Sequence, residues 1–121
     1  MKKTTLVLAL AASLWASSAS AMTVHEFLTS ANRIPRNPTA LLRSDTRRLM
    51  NETKQAFATV RSEQDAARTA GRRPATCMPE KVSLSADALL ARFNAIPAAR
   101  RNISVTQAVR EWMAAEHPCS A

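Results

Sequence analysis

From Val24 onward the apolar positions recur at the three- and four-residue spacing of helices, not at the two-residue spacing of strands. Val24, Phe27, Leu28 and Ala31 form a first apolar face. Thr23-Val24-His25-Glu26 stands before it as a capping box, in which the Thr hydroxyl accepts the amide three residues on and Glu26 reaches back. Arg33-Ile34-Pro35-Arg36-Asn37-Pro38 cannot continue that helix, because each proline lacks an amide donor and restricts the residue before it. A second helix is expected from Pro38, capped by Asn37, through to Ala70, with Leu42, Leu49, Ala56 and Val60 on one stripe and Met50 and Phe57 beside it. Unbroken it would reach roughly 50 Å, long for a small domain, so a break is expected near Ser44-Asp45, residues that compete for the backbone and cap well. Beyond Val60 the stripe dissolves into Ser62, Glu63, Gln64 and Asp65, which places the last turns partly in solvent. Gly71, the only glycine, falls where a left-handed cap is wanted, with Arg68, Arg72 and Arg73 at the negative end of the helix dipole.

A loop over 72–83 carries Cys77 and Pro79. The third helix starts with Ser85 as cap and Asp87 in its first turn, with Leu84 stapled against Leu89. Leu89, Phe93 and Ile96 form its inner face, and Pro97 ends it. A short basic turn, Ala98 to Asn102, leads to a second capping box, Ser104-Val105-Thr106-Gln107. Val105, Ala108, Val109 and Trp112 give the fourth helix its buried stripe, and Pro118 stops it one residue before Cys119. No alternating run argues for a strand and no internal repeat is present. The pattern predicts an all-α fold: a small four- to five-helix domain with a C-terminal helical hairpin over 77–121.

The N-terminus changes the compartment. Two lysines precede the apolar run Leu6 to Leu14, and Ala19-Ser20-Ala21 supplies small residues at a cleavage site, so residues 1–21 read as a secretory signal peptide and 22–121 as a single mature domain in the periplasm. The apolar run is shorter than the roughly 20 residues that span a bilayer, so no transmembrane segment is expected after cleavage; a retained anchor is the competing reading. In an oxidising compartment the two cysteines are expected to pair as a Cys77–Cys119 disulfide. A short turn at Ala98 to Asn102 makes the third and fourth helices antiparallel neighbours and returns Cys119 toward Cys77. Closing such a ring is worth about 4 kcal/mol in the loop-entropy model, against a total of about 5–15 kcal/mol for a typical domain.

The full chain has a net charge of +8; without Lys2 and Lys3 of the signal peptide it is +6, carried mostly by arginines scattered along every helix. It serves solubility, or steers the protein toward an anionic envelope polymer, lipid headgroups or an acidic protein. Nucleic acid is not an expected partner outside the inner membrane. The basic loop Arg72, Arg73 and the basic turn Arg100, Arg101 are the candidate contact residues, since loops on a rigid scaffold carry recognition. No catalytic chemistry is expected. His25 and His117 lack metal-site spacing with the cysteines, an oxidised sulfur offers no thiolate, and one glycine cannot build a phosphate-binding loop, so neither metal nor cofactor is assigned. Glu111 with Glu116, and Glu63 with Asp65, read as solvated helix faces. Trp112 and Phe93 read as core, an interface anchor being the other role for Trp112.

At Cys77-Met78-Pro79-Glu80-Lys81-Val82-Ser83-Leu84 the sequence resembles the small exported immunity proteins of bacterial type VI secretion, of the Tai and Rap type. Their pattern of Cys, any residue, Pro and a Val-Ser lead into an amphipathic helix continues here to a helix-closing Pro97 and a second helix ending in Pro118-Cys119. The resemblance implies a small helical domain that binds and blocks a cell-wall-degrading amidase toxin in the periplasm. The first half, Met22 to Thr76, departs from the family, lacking the further cysteines and the Gly-Tyr-Ile-type segment that many members carry. Met22-Thr23-Val24-His25-Glu26-Phe27-Leu28 is also similar to the opening of periplasmic acid-stress chaperones, small helical proteins held by one disulfide. Their implied switch relies on carboxylate protonation, for which nine acidic residues offer few levers.

Overall fold

The computed structural model describes residues 21–120; the signal-peptide reading falls on residues 1–20, outside that range, apart from Ala21. Four α-helices form the domain: α1 (Val24–Asn32), α2 (Ser44–Thr69), α3 (Ala86–Asn94) and α4 (Val105–Glu116), with 3-10 turns at Pro38–Leu42 and Ala98–Arg100. Among the described residues there is no sheet, only an isolated antiparallel pairing of Thr23 with Ser104. No described helix is long and apolar enough to cross a membrane.

The expected caps are used. The hydroxyls of Thr23, Ser85 and Ser104 accept from the amides of Glu26, Ala88 and Gln107, and Asn37 caps the 3-10 turn through the Thr39 amide. Neither Glu26 nor Gln107 reaches back to complete its box; the Gln107 amide oxygen takes a bond from Arg110 instead. Gly71 has φ +71°, and a full Schellman closure surrounds it: the Arg72 amide donates to the Ala67 carbonyl and the Gly71 amide to that of Arg68.

The break in the second helical stretch falls at Arg43, whose backbone is extended, and Ser44 supplies no side-chain cap. This extended residue resets the phase of α2. Leu42, expected on the inner stripe, is therefore 80% exposed, and Met50 is 47% exposed, while Leu49, Ala56 and Val60 are buried. The stripe also runs further than expected. Gln64 and Ala67 are buried at the next i+4 and i+3 positions, so the C-terminal turns of α2 belong to the core and not to solvent.

The core joins Phe27 and Leu28 of α1, Val60 of α2, Phe93 of α3 and Val105, Val109 and Met113 of α4. Phe27 meets Phe93 edge to face at 5.1 Å, and Phe57 meets Trp112 similarly at 6.1 Å. The principal packing pair is α2 with α4, and α3 is held mainly by α1. The short turn over 98–102 predicts α3 and α4 as close neighbours, but the longer apolar stripe of α2 gives α4 a larger surface to cover than the nine-residue α3 offers.

Cys77 and Cys119 form the expected disulfide, with Cα atoms 4.9 Å apart. It fastens the loop before α3 to the end of α4. The Cys77 amide donates to the His117 carbonyl at 2.8 Å, and the buried Thr76 hydroxyl donates to the Met113 carbonyl at 3.0 Å. Gln64 completes the joint: its Oε1 accepts from the Met78 amide at 2.7 Å and its Nε2 donates to the Met78 carbonyl.

Reduction of the disulfide, or Cys77→Ser, is expected to lower stability by about 4 kcal/mol, read as a shift in the urea midpoint. Gln64→Ala leaves the buried Met78 amide without its partner and should cost about 1–3 kcal/mol. Were the end of α2 merely solvent-facing, that substitution would be near neutral by the same measurement.

Candidate binding surface

The four arginines named as contact residues divide into two pairs at opposite ends of α4. Arg73 donates to the Cys119 carbonyl at 2.8 Å, just past the C-terminus of α4, whereas Arg100 and Arg101 precede its N-terminus. Twelve helical residues separate the pairs by roughly 18 Å at 1.5 Å per residue. Arg100 bonds Glu111 at 2.8 Å. Arg101 donates to the carbonyls of Ile96 and Asn94 at 2.9 and 3.0 Å, which closes the C-terminal end of α3. Arg72 is exposed, and its amide serves the Schellman closure. Three of the four guanidiniums are thus engaged within the domain.

The carboxylates also have structural partners. Glu63 receives two bonds from Arg110, at 2.9 and 2.5 Å, joining α2 to α4. The Arg110 hydrogen bond holds Glu63 below its ordinary carboxylate value against a smaller opposing effect of burial, and Arg110 is raised correspondingly. Glu116 accepts from Trp112 Nε1 at 3.1 Å. That pair borders a recess of about 330 Å³ with Pro79, Lys81 and His117. Trp112 is buried, so its place is in the core. Among the described residues no three His, Cys, Asp or Glu side chains gather as a metal-binding group.

A larger depression lies elsewhere. Between α1, the Pro38–Leu42 turn, the first turns of α2 and the start of α3 is a groove of about 810 Å³. Phe27, Ile34, Leu49, Leu89 and Leu90 supply apolar wall, and Arg36, Lys54 and Asp87 stand among its polar lining. Leu41, which also lines it, is 71% exposed. Thr46 lines it too, and its hydroxyl is buried without a hydrogen-bond partner.

Two adjacent leucines in a five-residue turn cannot both face one core, and that is the sequence signal for this surface. It is masked when Leu42 is counted into a continuous helix. The geometry offers apolar contact area with charged side chains among its lining. Comparisons of the chain with family models, curated proteins and solved structures find no match.

The Glu63–Arg110 pair gives a pH prediction. Because Glu63 is depressed in the folded state, its contribution is complete above the ordinary carboxylate range and is lost as pH falls through its folded value. Both side chains are substantially exposed, so the contribution is at most about 1 kcal/mol. Glu63→Gln should flatten the acid limb of stability against pH by that amount, measured by urea denaturation between neutral and acidic pH.

Proposed function

We propose that this chain is an exported binding protein of the immunity type, which blocks a cell-wall amidase sterically in the periplasm and catalyses nothing itself. The observation that carries the reading is the apolar groove lined by exposed Leu41 and Met50, which would serve as a recognition surface on a scaffold fastened by a disulfide. The resemblance over Cys77 to Cys119 supplies the partner class, and the signal-like N-terminus supplies the compartment. The residues of that resemblance act as structure: Cys77 and Cys119 fasten the end of α4, which leaves recognition to other surfaces. Rigidity suits such a role, because a preformed surface loses less freedom on binding.

The test is a pull-down with the oxidised mature chain, residues 22–121, from envelope extract at moderate salt, with Cys77→Ser as the folding control. Recovery of one stoichiometric hydrolase whose peptidoglycan cleavage ceases in the complex is the expected result. Recovery only of anionic envelope polymer, released as salt rises and screens the charges, would instead assign the chain to an envelope-associated structural role and end the immunity reading.

A further inference from the structure

We infer that the groove bounded by α1, the Pro38–Leu42 turn, α2 and α3 is the docking site for an acidic amphipathic helix of a partner protein. The inference rests on the protein-binding reading above and names the surface that performs it.

Shape is the first argument. The groove encloses about 810 Å³, room for several side chains rather than one. Its floor is apolar, with Phe27, Leu49 and Leu89 buried, and exposed Leu41 and Met50 also line it. A scattered exposed leucine needs no explanation, whereas two exposed large apolar side chains lining one apolar-floored concavity form a patch. A helix presenting apolar side chains at i, i+3, i+4 and i+7 fills such a groove.

Charge selects among occupants. The segment that borders the groove exposes Arg33, Arg36, Arg47 and Lys54, of which Arg36 and Lys54 line it directly. Arg43 is already paired with Asp45 at 3.1 Å, and Arg48 reaches Ser30 at 3.4 Å. Glu52 on α2 and Asp87 on the α3 wall are the neighbouring acids. The matching helix therefore bears carboxylates along the flank toward Arg36 and Lys54 and none against Asp87, which sets its orientation as well as its sign. A second copy of the chain, docked through the same face, would set one basic-bordered patch against another. An anionic bilayer would meet exposed Leu41 and Met50 but, being flat, would not fill the concavity they border.

The probe is a synthetic helical peptide with leucines at i, i+3, i+4 and i+7 and glutamates along one flank, compared with a version carrying lysines in their place. Binding to the oxidised mature chain is followed by amide chemical shifts. The glutamate peptide is expected to shift residues lining the groove and to bind about tenfold or more tightly than the lysine peptide, a difference of about 1.4 kcal/mol. Arg36→Glu with Lys54→Glu should invert that preference; unchanged melting and circular dichroism exclude misfolding of these exposed sites. Equal affinity for both peptides, shifts outside the groove, binding of phosphatidylglycerol vesicles without peptide binding, or dimerisation abolished by Leu41→Glu would each overturn the assignment. If the double variant still captures and inhibits a hydrolase, the groove assignment falls and the amidase reading stands. If the peptide preference holds while no hydrolase is captured, the amidase reading falls and the groove assignment stands.

Discussion

Helix α4 is buried along most of one side, and like any helix it leaves its first amides and last carbonyls without partners of its own. Other parts of the chain supply them. At its start, the Val105 amide donates to the Met22 carbonyl at 2.8 Å, while the Val24 and His25 amides, the same unpaired groups of α1, donate to Ile103 and Arg101 at 2.9 Å. Each helix thus receives acceptors from the residues leading into the other. At its end, Thr76 and Cys77 bond carbonyls of the last turn and the residue after it, and the disulfide makes that contact permanent. With both ends fixed, the stripe from Val105 to Met113 has one way to lie on α2.

That arrangement decides where the domain is open. Phe57 with Trp112 and Glu63 with Arg110 settle α4 against the middle of α2, and the first turns of α2 are left to α1, the 3-10 turn and α3. These elements do not close over one another. Proline at 35 and 38 ends α1 and carries the chain outward, the extended Arg43 turns α2 off the line of the preceding turn, and α3 is short. The groove is what remains when the disulfide end of the molecule takes the best packing.

Much of this was legible in the residues. Thr23, Ser85, Ser104 and Asn37 announced their caps, Gly71 its left-handed turn, and the cysteines their bond, because each is a local rule that tertiary contacts seldom override. What was hidden depends on phase and on distant partners. Ser44-Asp45 marks the break by its capping tendency, but the extended conformation of Arg43 just before it, which moves Leu42 from core to surface, is not marked by any local pattern. Gln64 read as solvent-facing because it is polar, yet its amide matches the backbone of Met78, fourteen residues away in sequence. The contact arginines were chosen for charge and loop position, and carbonyls of Cys119, Ile96 and Asn94 took up the side chains of Arg73 and Arg101. The groove belongs to four elements at once, so no single stretch could display it.

The exchange between the leading residues of α1 and α4 has a consequence for how the molecule comes into being. The Val24 and His25 amides precede their acceptors, the Ile103 and Arg101 carbonyls, by more than seventy residues in the chain, and the Met22 carbonyl is as far from the Val105 amide it accepts, so α1 is completed only when the segment before α4 is in place. A nascent chain carrying α1 alone has a helix with an unsatisfied beginning and an uncovered Phe27. Such wide sequence separation slows folding relative to a chain of neighbouring helices. The residues leading into α1 and α4 are in this sense a latch, which needs both halves of the chain to close.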